Sequence, residues 1–176
     1  MKLLATLSGF DGKHTALLEQ VSADTPRNAD STSQLVACAE HDDTKLQVAA
    51  TWILKKWQDE GVLLDEEHLG ELAKILHRAD HWEVKLHILQ IFSSIEIAPK
   101  LTPLLKKSLR KMVADEQKFV RAWSYSVLAK IADQDHAFRE QLLARLAEAE
   151  QDEAASVKAR LRQIRKKYKW ANLRQE

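Results

Sequence analysis

Residues 120–131 read VRAWSYSVLAKI, and the same arrangement recurs as LQVAATWILKKW at 46–57, VKLHILQIFSSI at 84–95 and VKARLRQIRKKY at 157–168. Set one above another, the first column holds Leu46, Val84, Val120 and Val157, and the fifth holds Ala50, Ile88, Ser124 and Leu161. The eighth holds Ile53, Ile91, Val127 and Ile164, and the twelfth Trp57, Ile95, Ile131 and Tyr168. Positions 1, 5, 8 and 12 share one stripe of an α-helix turning about 100° per residue, so each segment is predicted to be a helix with one apolar face. Upstream of each segment, by 11 or 12 residues, stands one of Leu35, Leu72, Leu109 and Leu146, themselves 37 residues apart. Apolar residues at i, i+3 and i+4 surround these leucines and predict a first helix in each copy. Four copies of a paired helical unit follow, each too small to bury its own apolar face alone.

Between the paired helices lies a short polar turn with an acid: Asp42 and Asp43, Asp80, Asp115 and Asp152. A carboxylate there can accept from the orphan N–H groups of the second helix and oppose its dipole. Between copies the chain breaks at Gly61, at Pro99 and Pro103, and at 133–135, with Pro103 suited to the first turn of a helix. The second column reads Gln47, Lys85, Arg121 and Lys158. An acid followed after a few residues by Val-Lys or Val-Arg (Asp80 to Val84-Lys85, Asp115 to Val120-Arg121, Asp152 to Val157-Lys158) resembles the HEAT repeat family; the first copy departs, with Leu46-Gln47. The resemblance covers residues 31–168 and implies an all-α fold, a right-handed α-solenoid of about four helix pairs. It also implies a ladder in which Lys85, Arg121 and Lys158 meet turn acids of neighbouring units. The expected division is a single domain with repeats at about 31–57, 66–95, 101–132 and 137–168. A C-terminal tail at 169–176 follows. Residues 1–30, with a predicted helix at 14–21, form an N-terminal cap over the first repeat, because solenoid ends need covering.

Composition fits this reading. Hydrophobic residues make up 45% of 176, enough for a continuous core, while only 4 Gly and 3 Pro occur. With 27 basic and 26 acidic residues the charge is balanced, against a protein that coats nucleic acid over its whole surface. The one cysteine, Cys38, excludes an internal disulfide, lies in an apolar helical run, and fits a reducing compartment as a small core residue. No uncharged run approaches the roughly 20 residues of a membrane span, and the apolar start at Leu3 is too short for a secretory leader. A cytoplasmic protein without a membrane partner is expected.

Chemistry-bearing motifs are missing. The histidines, at 14, 41, 68, 77, 81, 87 and 136, form no metal-binding spacing, and no Gly-rich phosphate loop or nucleophile elbow occurs. Neither a cofactor nor a metal is expected. Two asymmetries remain. Trp57 belongs to the core column and Trp82 to a helix–helix turn, but Trp52 and Trp123 lie on the flank of the second helices with Lys56, His87, Lys130, Arg160, Gln163 and Lys167. In HEAT proteins the second helices line the concave face, so these residues would edge a groove of hot-spot composition for a protein partner; packing of the two Trp between adjacent helices is the other reading. The last helix is the second asymmetry. From 157 to 176 eight basic residues, among them Arg162, Arg165, Lys166, Lys169 and Arg174, face only Glu176. With Tyr168 and Trp170 as stacking rings, this strip could contact nucleic acid; otherwise it is a solvated cap. Some HEAT-like proteins are alkylpurine DNA glycosylases, but the Trp-Trp-Asp type segment of that family is missing here. A metal-dependent HEAT-like lyase would need His-Glu pairs across successive repeats, and these are missing too. The expected function is a non-catalytic interaction module for another protein, with nucleic-acid binding as the alternative.

Overall fold

The computed structural model describes residues 2–172. Every element in that range is helical, with no strand among the described residues. The chain divides into two compact units, Met1–Ile91 and Phe92–Glu176; the first holds the segment at 46–57 and most of that at 84–95, the second those at 120–131 and 157–168. The tail residues Arg174 and Glu176 lie outside the described residues.

The first unit comprises α1 (Lys2–Leu7), α2 (Ala16–Asp24), α3 (Ala29–Ala39), α4 (Thr44–Asp59), α5 (Glu66–Arg78) and most of α6 (Trp82–Ser94). Its starts are set by short polar residues. Asn28 accepts from the Ser31 N–H, Asp43 from Lys45 and Asp65 from His68, each relieving an orphan donor at the head of α3, α4 or α5. The segment 1–30 holds two helices where the sequence predicted one, and α3 starts two residues before the predicted repeat boundary. Helix α2 packs on α4, and the Trp57 indole N–H reaches back to Ser22, 3.0 Å from Oγ and 3.2 Å from the carbonyl. This segment thus covers the end of the first helix pair, satisfying a buried indole that no residue of its own repeat reaches.

The second unit contains α7 (Thr102–Met112), α8 (Lys118–Gln134), α9 (Arg139–Asp152) and α10 (Ala155–Lys167), followed by a short 3₁₀ turn, Lys169–Asn172. Pro103 lies in the first turn of α7, where its missing N–H is not needed. Helix α8 packs on α7, α9 and α10.

The apolar columns form the two cores. Leu35, Leu72, Leu109 and Leu146 are fully buried, as are Trp57, Ile53, Ile88, Ile91, Val127 and Leu161. Ser124 stands in an apolar column because its hydroxyl donates to the Val120 carbonyl at 2.8 Å, leaving no unpaired polar atom. Ile95 departs from its column: α6 ends at Ser94, so this side chain leaves the helical stripe and is half-buried.

Within each unit, polar contacts recur at about one repeat. In the first, Ser33 bonds His68 at 2.9 Å, Thr51 bonds His87 at 3.1 Å and Arg78 pairs with Glu40 at 2.8 Å. In the second, Gln134 exchanges two hydrogen bonds with the Ile97 backbone, and Trp170 donates to Asp133 at 3.1 Å. Adjacent copies therefore lie side by side in register inside each unit.

The acid–base ladder differs from what the resemblance implies. Asp152 is the last residue of α9 and is exposed; the turn acid is its neighbour Glu153, which receives Arg121 by Nε at 2.9 and 3.1 Å and by Nη2 at 3.0 Å. The second column has a further use. Gln47 donates to the His41 carbonyl, Arg121 to the Asp115 and Glu116 carbonyls, and Lys158 to the Gln151 carbonyl. In three copies, then, this column ties down carbonyls left open where the first helix ends. Gln47 serves as well as a cation, which explains its place in the first copy.

Candidate docking groove

The side chains proposed for a partner face divide by unit, and their environments differ. In the first unit, Lys56 Nζ lies 5.7 Å from the Trp52 ring centroid. The same ammonium bonds Glu19 at 3.0 Å and Glu60 at 3.1 Å, and these carboxylates raise its pKa. Its charge is therefore already compensated. His87 is not a surface residue: it is 8% exposed, bonded to Thr51, and its pKa is depressed to about 4 by burial, with Lys55 and His81 adding repulsion. The apolar columns around it leave the imidazole neutral and enclosed, so it offers a partner nothing.

In the second unit, Lys130 is paired with Glu96 and mostly covered. Trp123 on α8 and Arg160 on α10 behave differently. Both occupy the fourth column of their segments, 37 residues apart, and α8 packs against α10. The repeat register thus brings the guanidinium over the indole, 3.7 Å from the ring centroid. Both side chains are half-buried. No carboxylate pairs with Arg160 among the described residues. Burial alone lowers its pKa, since water is withdrawn from the cation and no anion replaces it.

A groove of about 240 Å³ opens beside this pair. Besides Trp123 and Arg160 its walls include Ser126, Gln163, Lys167 and Tyr168. No acidic side chain lines it. Lys167 is exposed, 5.1 Å from the Tyr168 ring centroid, with no carboxylate partner among the described residues. The sequence pattern puts Ser126 on the flank of Trp123 but puts Tyr168 in the core column. Ser126 shares the seventh column with Trp52 and Gln163; Tyr168 is a core residue whose edge reaches the groove, which only packing reveals.

The residues considered for nucleic acid do not form one surface. Arg162, Lys166 and Lys169 are exposed. At about 100° per residue, Arg162 lies roughly opposite Arg160 on α10 and Lys166 about 120° round from it. Arg165 is withdrawn: it pairs with Glu150 and donates to the Ala171 carbonyl, while Asn172 bonds the Arg165 carbonyl at 2.7 Å. Trp170 is 8% exposed, tilted against Tyr168 with centroids 5.6 Å apart, and covered by Arg139 at 5.4 Å. Its ring faces are used inside the fold, so the expectation that it stacks on bases is corrected.

Among the described residues, no three His, Cys, Asp or Glu side chains converge to hold a metal. No protein-family model matches the chain, and neither does any curated protein or solved structure.

Proposed function

We propose that this chain is a non-catalytic interaction module of the HEAT type, a right-handed α-solenoid of four stacked helix pairs, which docks a protein partner on its second helices. The reading is supported by the fully buried leucines one period apart and by cross-copy contacts in register within each unit. The observation that carries the docking role is the Trp123–Arg160 pair: an aromatic and an arginine, half-buried beside an open groove, with the cation unpaired among the described residues. Trp and Arg in a partly desolvated pocket are the composition of binding hot spots. A reducing, cytoplasmic setting suits the buried Cys38 thiol. No helix among the described residues is long and apolar enough to cross a membrane.

The test is recovery of partners from the native host with the wild-type chain and with a Trp123→Ala, Arg160→Ala double variant. Loss of a specific partner from a variant with unchanged helical content is expected. Equal recovery would place the partner elsewhere.

Nucleic-acid binding keeps one supporting observation, the exposed cations Arg162, Lys166 and Lys169. Three phosphate contacts would give a log–log salt slope of about −2 to −3. A duplex titration at low and moderate salt decides it: the docking reading expects no saturable binding.

A further inference from the structure

We infer that the groove at Trp123 and Arg160 is a carboxylate clamp, taking an aspartate or glutamate side chain from an acidic segment of a partner protein. The inference rests on the docking reading and adds the chemistry of what is docked. Both groove cations lack a carboxylate partner among the described residues, although the unit has acids in plenty. Glu153 is engaged by Arg121, Glu150 by Arg165, Glu96 by Lys130 and Asp135 by Lys106. Arg160 is also half-buried, and a cation that has lost part of its water without gaining an anion is destabilising. Among the described residues its charge meets the face of Trp123.

That contact is also what a clamp needs. A planar guanidinium lying on an indole keeps its edge N–H groups in one plane, the arrangement that meets both oxygens of a carboxylate. Lys167 supplies a second, exposed positive charge on the same wall, and Ser126 and Gln163 offer neutral donors. Trp123 and Tyr168 give apolar surface for the methylenes of the incoming side chain. The absence of acids from the lining makes the complementarity one-signed.

A nucleic-acid strand fits less well. Of the other exposed cations of α10, Arg162 lies on the far side of the helix and Lys166 about 120° round from Arg160, and neither lines the groove, which presents two charges rather than the row that a phosphodiester backbone requires.

The experiment uses the full chain against an array of immobilised random-sequence peptides graded in acidic content, with a matched set in which Asp and Glu are replaced by Asn and Gln. A phosphoserine set is added. The wild-type chain is expected to bind the acidic peptides about tenfold or more tightly than their amide counterparts. Arg160→Met, which keeps an unbranched chain on the indole without charge, is expected to abolish that preference, and Arg160→Lys to restore part of it. Equal binding of acidic and amide peptides, lost in Trp123→Ala, would overturn the clamp while leaving the docking groove standing. Stronger binding of phosphoserine peptides through Arg160 would overturn the carboxylate assignment. No binding to any peptide by the folded chain would overturn the clamp and the docking reading together.

Discussion

Thr51 donates its hydroxyl proton to the Gln47 carbonyl at 2.8 Å, which leaves its oxygen to accept from Nδ1–H of His87 and so fixes the tautomer of a buried imidazole. The pH behaviour of that residue follows. In the unfolded chain His87 protonates as pH falls through about 6.5, whereas burial holds the folded group neutral until about 4. Its contribution to stability is complete above pH 6.5 and is lost as pH falls towards 4, by on the order of 3 kcal/mol. Urea midpoints at pH 7 and pH 4.5 should differ in the wild type, and His87→Gln, which can still bond Thr51, should flatten much of that difference. An identical pH dependence in the variant would show that His87 titrates freely in the fold. The fourth column, shared with Trp123 and Arg160, predicts His87 on the partner face, yet it is buried. Column position predicts direction along a helix wheel; it does not reveal how closely the neighbouring helix approaches.

At the scale of an element, the turn between α9 and α10 depends on Glu153 rather than on the motif acid before it. Glu153 accepts a forked bond from Arg121, with side chains 15% and 19% exposed respectively, and its carboxylate also receives the Ala154 N–H at 3.1 Å. Replacing it by Ala leaves a half-buried guanidinium unmatched and should cost about 2 kcal/mol. Asp152→Ala removes an exposed carboxylate at the end of α9 and should stay within about 0.5 kcal/mol. Chemical denaturation of the two variants checks the contrast; equal effects would return the ladder role to Asp152. Sequence spacing found the turn and the basic partner at Arg121. It missed the acid by one residue because both candidates are carboxylates and helix ends are set by hydrogen bonds that local propensity barely resolves. The shared use of Gln47, Arg121 and Lys158 as carbonyl ties was hidden for the opposite reason: amide, guanidinium and ammonium look unlike in a sequence and alike as donors.

For the molecule as a whole, the leucines one period apart are equivalent by burial, so Leu35→Ala, Leu72→Ala, Leu109→Ala and Leu146→Ala should each cost about 2–5 kcal/mol, measured by urea melts. A single tolerant site among them would mark a copy whose core can collapse. A formal net charge of +1 also conceals local structure: Arg121, Lys130 and Arg165 are matched by carboxylates, whereas the groove cations Arg160 and Lys167 have none among the described residues. Partner binding through Arg160 and Lys167 should therefore weaken as salt rises from low to physiological levels, mainly through association rate. The sequence by itself determined that this chain is helical and repeated, because the 3.6-residue period and the 37-residue period are properties of residue order and survive any rearrangement of neighbours. It also brought Trp123 and Arg160 into one column. Which cations are already answered by carboxylates, that Trp170 is spent inside the fold, and that Arg160 is left over were decided only by tertiary structure. Charge compensation depends on distances between side chains far apart in the chain, and the repeat period sets the register of those meetings without setting which of them ends in an ion pair.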